Sequence, residues 1–137
     1  MDEERNTLVV RRYFGLSGPP DWDELIHPEF VNHAGRSEHR NGVEGMKRTH
    51  EAVHRFSSDQ RYSIEDLVAA GDKVWARVTW QGTHDSELQL PNGTFPASGK
   101  PFSVEHVHIF RLAEGKIIEH WAVRDDLGWL RQLGILP

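Results

Sequence analysis

Four segments in the second half of the chain alternate apolar and polar residues: Tyr62 to Ala69, Lys73 to Thr83, Phe102 to Leu112 and Lys116 to Val123. Period-two alternation sends successive side chains to opposite faces, so each segment is predicted to be a β-strand with one buried face. Gly71-Asp72 marks a tight turn between the first two strands. The first half follows a different period. Val9, Val10, Tyr13 and Phe14 recur at helical spacing and predict a first helix over Arg5 to Phe14, with Asn6 as its cap and Gly18-Pro19-Pro20 as its stop. Asp21 caps a short second helix through Ile26, which Pro28 closes, and Glu29 to His33 reads as a brief strand. Gly42 opens a third helix running to about Phe56, with Val43, Met46, Val53 and Phe56 along one side, and a short amphipathic tail covers Leu127 to Leu133. Helices followed by a meander of long antiparallel strands imply an α+β fold, helices packed on one face of a curved antiparallel sheet that encloses a pocket. Pro91 through Pro101 reads as a loop between strands.

Composition narrows the chemistry. The chain has 137 residues, the size of one domain with one core, so residues 1–137 are taken as a single unit. No stretch approaches the roughly 20 apolar residues of a membrane span. The N-terminus is charged from Asp2 onward, which fits no signal peptide and leads to the expectation of a cytoplasmic protein. Cysteine is absent, which removes thiolate nucleophiles, disulfides and zinc-thiolate sites. A net charge of −5 with scattered Lys and Arg argues against nucleic acid as a partner. Nine histidines are the oddity. His50 and His54, on the third helix, read as solvated surface residues.

The last two strands allow a geometric argument. With Glu114-Gly115 as a two-residue turn, Ala113 faces Lys116 and the register follows: His108 opposite Trp121, His106 opposite Val123, Val104 opposite Asp125. One face of this hairpin would then hold His106, His108, Trp121 and Asp125, a set able to position and protonate a substrate. The other face would hold Val107, Ile109, Arg111, Ile118, His120 and Arg124, a mixture suited to the outside of the sheet or a subunit interface. The competing reading is a polar core in which the histidines merely hydrogen-bond to one another.

The stretch from Val107 through Glu119-His-Trp121, continuing to Asp125-Asp-Leu-Gly-Trp-Leu-Arg-Gln-Leu-Gly134, resembles the SnoaL-like polyketide cyclases of the nuclear transport factor 2-like superfamily. Phe30-Val-Asn-His33, Ile64-Glu-Asp-Leu67, Gly71-Asp-Lys-Val74 and Gly82-Thr-His84 extend the likeness over nearly the whole chain. The resemblance implies a cone-shaped barrel of helices on a strongly bent sheet, no metal or other cofactor, and assembly as a homodimer or homotetramer. It also implies a single aspartate serving as acid and base in an intramolecular aldol closure, at Asp125 by the Glu-His-Trp-x-x-x-Asp pattern. Asp126, on the opposite face of a continuing strand, is read instead as a cap for the terminal helix. Comparison with the ketosteroid isomerases of the same superfamily implies that His33, Tyr13 and His108 stand where those enzymes keep their base, tyrosine donor and protonated acid.

The expected site is therefore Asp125, His108 and His33 for chemistry, with His106, Trp121, Tyr13, Phe110 and Arg77 against the substrate. Tyr13 stays open between a core residue and a hydroxyl reaching the pocket, and Arg77 between a partner for Asp125 and an outward side chain. Trp121 and Phe110, with Trp75 or Trp80, would form a flat wall for an apolar, polycyclic aromatic small molecule. Three functions fit: a cyclase or isomerase, a cofactor-free hydroxylase of aromatic polyketides, and a non-catalytic binding module. A metal variant would use His106-x-His108 with His33 or Asp125.

Overall fold

In a computed structural model, which describes residues 2–15, 20–34 and 41–137, the alternation of the second long segment is realised residue by residue. In β3 (Lys73–Thr83), Val74, Ala76, Val78 and Trp80 are buried, while Lys73, Trp75 and Arg77 point outward. β3 pairs with β2 (Arg61–Ala70) through the turn at Gly71-Asp72, where Gly71 has φ of 62°, a left-handed conformation that glycine adopts at little cost. It pairs on its other side with β6 (Pro101–Ala113), which pairs with β7 (Lys116–Arg124), all antiparallel. The full sheet has the order β1-β7-β6-β3-β2, with β1 (Ile26–Asn32) added parallel to β7 at the edge. The edge position explains why Pro28 lies inside this strand instead of closing a helix. An edge strand leaves one row of N–H groups unpaired, so a missing donor is tolerated there, and the β1–β7 register is irregular between Ile26 and Val31.

α1 (Asp2–Tyr13) packs across β2, β3 and β7, and α3 (Gly42–His54) packs on β1. α1 starts before the expected cap, so Asn6 lies inside the helix, buried. Three acidic residues, Asp2, Glu3 and Glu4, occupy its first turn, where they oppose the positive end of the helix dipole. The short α2 (Trp22–Leu25) is capped as expected, Asp21 accepting from the backbone N–H of Asp23 and Glu24, a contribution of about 1 kcal/mol. The expected stop at Gly18-Pro19 lies outside the described residues. The 91–101 connection is partly ordered into a small hairpin, β4 (Leu88–Leu90) with β5 (Gly93–Phe95). α4 (Asp126–Gln132) follows β7 and packs on β6.

Two apolar clusters stabilise this arrangement. One joins Val10, Phe14, Leu25, Ile26, Phe30, Val74, Phe110 and Ile117; the other joins Phe56, Trp80, Leu88, Phe102, Val104 and Leu133. Tyr62 packs against both. No helix among the described residues is long and apolar enough to cross a membrane.

Candidate active site

The turn of the last hairpin forms as expected: Glu114 and Gly115 both adopt positive φ, 56° and 77°, and Ala113 pairs with Lys116. The register then slips. Leu112 pairs with Ile117 but Arg111 pairs with Glu119, so Ile118 is an extra residue with no partner across the ladder, a β-bulge. Because side chains alternate, one inserted residue turns everything beyond it to the other face. His108 lies opposite Ala122 instead of Trp121, and His106 opposite Arg124 instead of Val123. The expected inner set of His106, His108, Trp121 and Asp125 is thereby corrected to His106, His108, His120 and Arg124.

The residues that leave the inner face find partners outside. Trp121 stacks on His33, ring centroids 4.9 Å apart and nearly parallel at 7°. His33 Nε2 bonds Glu119 Oε2 at 2.9 Å, and Arg111 bonds the same carboxylate. Glu119 is held below its ordinary value, first by its hydrogen bond with His33 and also by Arg111. Asp125 becomes the N-cap of α4, accepting from Gly128 N at 2.9 Å, while Asp126 borders the cavity. The expected division between these two aspartates is thus reversed in space. Arg77 projects outward and pairs with Asp66 at 2.7 Å and Glu105 at 2.8 Å, not with Asp125. Among the described residues no three His, Asp or Glu side chains are grouped to hold a metal ion, so the set drawn from His106, His108, His33 and Asp125 is not brought together.

On the inner face the sheet, α1, α3 and α4 enclose a cavity of about 960 Å³, within the range of small-molecule sites. Tyr13, Phe14 and Trp22 form one aromatic side, and Phe56, Tyr62, Trp80 and Trp129 another. Tyr13 lies between the two alternatives: it lines the cavity, and its ring packs on the core against Phe14, Trp22 and Phe110. Phe110 is fully buried behind the cavity wall, stacked on His108 and His120. Burial pushes both phenols up, Tyr62 to about 12 and Tyr13 beyond it, so each remains a neutral hydrogen-bond donor at physiological pH.

The polar floor is a line of hydrogen-bonded groups. His106 Nδ1 meets His108 Nε2 at 3.2 Å, His108 Nδ1 meets His120 Nε2 at 2.8 Å, and His120 Nδ1 meets Asn32 Oδ1 at 3.1 Å. All four residues are at most 4% exposed. Burial, reinforced by the Arg124 guanidinium, lowers His106 to about 4 and His120 to about 3, and drives His108 well below the ordinary imidazole range. The three rings are therefore neutral near pH 7. His106 Nε2 has no hydrogen-bond partner among the described residues and is not among the fully enclosed unpartnered atoms, so it opens to the cavity. Arg124 also lines the cavity and donates to Ala34 O at 2.7 Å.

His50 and His54, expected on the solvated side of α3, also line the cavity, their ring centroids 3.8 Å apart. His54 Nδ1 donates to His50 O, and burial lowers His50 to about 4. Neither they nor Tyr62, Asn32, His120 and Arg124 were expected in the site. For His50 and His54 the i, i+4 spacing was a usable signal, because it places both on one helix face; for His120 and Arg124 alternation alone pointed the wrong way.

A bent sheet closed by helices around an aromatic cavity with a polar floor is the architecture of a small-molecule site. The chain belongs to the SnoaL-like polyketide cyclase family, whose profile matches residues 8–133. It is 33% identical over 133 residues to the aklanonic acid methyl ester cyclase DnrD of Streptomyces peucetius, covering 92% of this chain and 88% of that one. It is 30% identical over 129 residues to the nogalonic acid methyl ester cyclase of Streptomyces nogalater, covering 88% and 89%. Among solved structures, TsrD from Streptomyces laurentii superposes with a TM-score of 0.83 at 29% identity, over 99% of both chains.

Proposed function

We propose that this chain is a cyclase that closes a ring of an aromatic polyketide methyl ester by intramolecular aldol addition, with His106 moving the proton. The observation that supports this most is the open ring nitrogen, His106 Nε2, at the end of a buried histidine line beside Arg124 and between aromatic walls. The reaction is redox-neutral and needs one base, one acid and an environment that tolerates an enolate. His106 Nε2 takes the proton from the carbon next to a carbonyl, and the bond's electron pair passes into the enolate. Arg124, an exposed residue on the cavity lining whose charge reaches His106, His108, His120, Tyr13 and Tyr62, offers that anion a cation. The enolate carbon attacks a ketone within the same molecule, forming the C–C bond. The resulting alkoxide takes the proton back from His106. The phenols of Tyr13 and Tyr62 are neutral donors for the substrate's carbonyl oxygens, and the aromatic walls suit flat fused rings.

The carboxylate implied by family resemblance, Asp125, is exposed and committed to a helix cap, and Asp126 is an exposed group at the cavity border. A hydrated carboxylate is stabilised by water in the form it must give up to act as an acid, whereas His106 is 4% exposed and responds directly to charge formed beside it. With aklanonic acid methyl ester as the probe, His106→Gln is expected to lower the cyclisation rate by about 100-fold or more, while Asp125→Asn and Asp126→Asn stay within a few-fold. A silent His106→Gln together with a large loss in either aspartate variant would move the acid/base role to that carboxylate. Oxygen consumption with a reduced polyketide, in place of ring closure, would instead identify a hydroxylase.

A further inference from the structure

The line of histidines has a fixed direction, and the group that fixes it is Asn32. The backbone N–H of Ala34 donates to Asn32 Oδ1 at 2.9 Å, so this atom is the amide oxygen; a flipped amide would set NH₂ against N–H. An oxygen can only accept, so His120 Nδ1, 3.1 Å away, carries hydrogen. A neutral imidazole has one N–H, which makes His120 Nε2 an acceptor, and His108 Nδ1 must donate to it across 2.8 Å. By the same step His108 Nε2 accepts and His106 Nδ1 donates across 3.2 Å. What remains at the cavity is His106 Nε2 with a bare lone pair. The opposite order, with every ring protonated on Nε2, would place the lone pair of His120 Nδ1 against the lone pairs of the Asn32 oxygen.

We propose that Asn32 is a positioning residue which, through His120 and His108, holds His106 as the Nδ1–H tautomer, so that the resting site presents a base and not a donor to its substrate. An unconstrained neutral imidazole favours the other tautomer, Nε2–H, which would meet the substrate's C–H with a hydrogen instead of a lone pair. A proton captured at His106 Nε2 stays on that ring, because His120 at the far end of the line is held lower, at about 3 against about 4. The Nδ1–H of the charged His106 then donates to His108 Nε2 more strongly than it did from the neutral ring. The proton on Nε2 is the one returned to the alkoxide.

The catalytic half of this proposal rests on His106 being the base of the cyclase; the tautomer order does not, and it is read without substrate. Protein labelled with ¹⁵N at histidine, recorded at about pH 7.5 by long-range ¹H–¹⁵N correlation, is expected to show His106, His108 and His120 all protonated at Nδ1, each Nε2 in the unprotonated range. A wild-type His106 protonated at Nε2 overturns the order outright, whatever the variants do. Asn32→Leu removes the terminal acceptor and is expected to move His106 toward Nε2–H, lowering kcat by about 10- to 100-fold, the range for outer partners of functional histidines, with little change in KM. Asn32→Asp accepts the same two hydrogen bonds and is expected to restore both the Nδ1–H signature and most of kcat. An Asn32→Leu protein whose tautomers shift while kcat stays at the wild-type value would remove Asn32 from catalysis. If the wild-type chain cyclises nothing, the function proposed above fails while the spectrum still decides the order.

Discussion

Lowering the pH from about 7.5 to about 5.5 should destabilise this protein far more than its carboxylates alone would. His106, His108 and His120 have an ordinary pKa of 6.5 when exposed, and in the folded chain His106 falls to about 4, His120 to about 3 and His108 well below 6.5, burial being the first cause in each case. A base whose folded value is depressed binds its proton more readily in the unfolded chain. The folded state is thus at no disadvantage above about pH 6.5 and loses ground as the pH falls toward the folded values. At about pH 5.5 an unfolded imidazole is mostly charged while the folded ones are still neutral. The difference is about 1 kcal/mol per ring and ~3 kcal/mol for the three, against a total stability of about 5–15 kcal/mol. Asp59 and Glu119, which are held low, change protonation only below their ordinary values of 3.8 and 4.5, outside this window. Burial also lowers His50 and His54, which adds to the effect in the same direction. In urea titrations followed by tryptophan fluorescence, with a slope of about 1.5 kcal/mol per molar, the midpoint should drop by about 2 M between the two pH values. His106→Gln removes one of the three sites, so its drop should be smaller by roughly a third. A wild-type midpoint that moved by less than about 0.5 M would refute the picture of a buried neutral line.

Deleting Ile118 removes the bulge; the register beyond Glu119 would then send His120 and Arg124 outward and Trp121 inward. The folded amide spectrum should collapse, and a well-dispersed spectrum with unchanged ring contacts would show that the bulge is dispensable. Gly82→Ala would put a methyl group 2.8 Å from Ser57 Oγ, 2.9 Å from Gln60 Cα and 3.0 Å from Phe102 Cζ. The backbone contact cannot swing away, so a loss of about 1–3 kcal/mol in urea is expected, and an unchanged midpoint would contradict the packing. Val68, Trp75, Ile109 and Trp121 stand side by side across four strands on the outer face, with Val68 61% and Trp75 50% exposed. A homodimer through this face is expected by light scattering, and Trp75→Lys with Val68→Lys should yield monomers; a monomeric wild type would rule the interface out.

The elements that the sequence made legible are those in which a single period decides the answer. β3 runs over the residues that its alternation marked, and the Glu114-Gly115 turn pairs Ala113 with Lys116. The apolar spacing marks α3 as a helix but does not reveal the polar side chains it turns toward the cavity. A helix against a dry core shows an apolar stripe, whereas a helix against a cavity can present polar side chains inward, and His50 and His54 therefore looked like surface residues. The parallel pairing of β1 with β7 left no local trace, since it joins Ile26 to Ile117 and Asn32 to His120 across most of the chain. That pairing is also what brings Asn32 to the histidine line.

The bulge at Ile118 is where strand geometry and chemistry meet. Glu119-His-Trp121 on an unbroken strand would put the indole inside and leave His120 outside, beside Glu119's own partners. With one unpaired residue inserted, the carboxylate and the indole face outward, where Arg111 and His33 engage them, and the imidazole faces inward between His108 and Asn32. The insertion interrupts the ladder between Arg111 and Leu112, and bulges that re-aim a side chain in this way concentrate beside active sites. His106 and His108 alone would give a pair with no fixed polarity, free to order their protons either way. Only with His120 in line does the pair connect to Asn32, whose oxygen is held by Ala34. The residue that alternation could not detect is therefore the one that gives the site its direction.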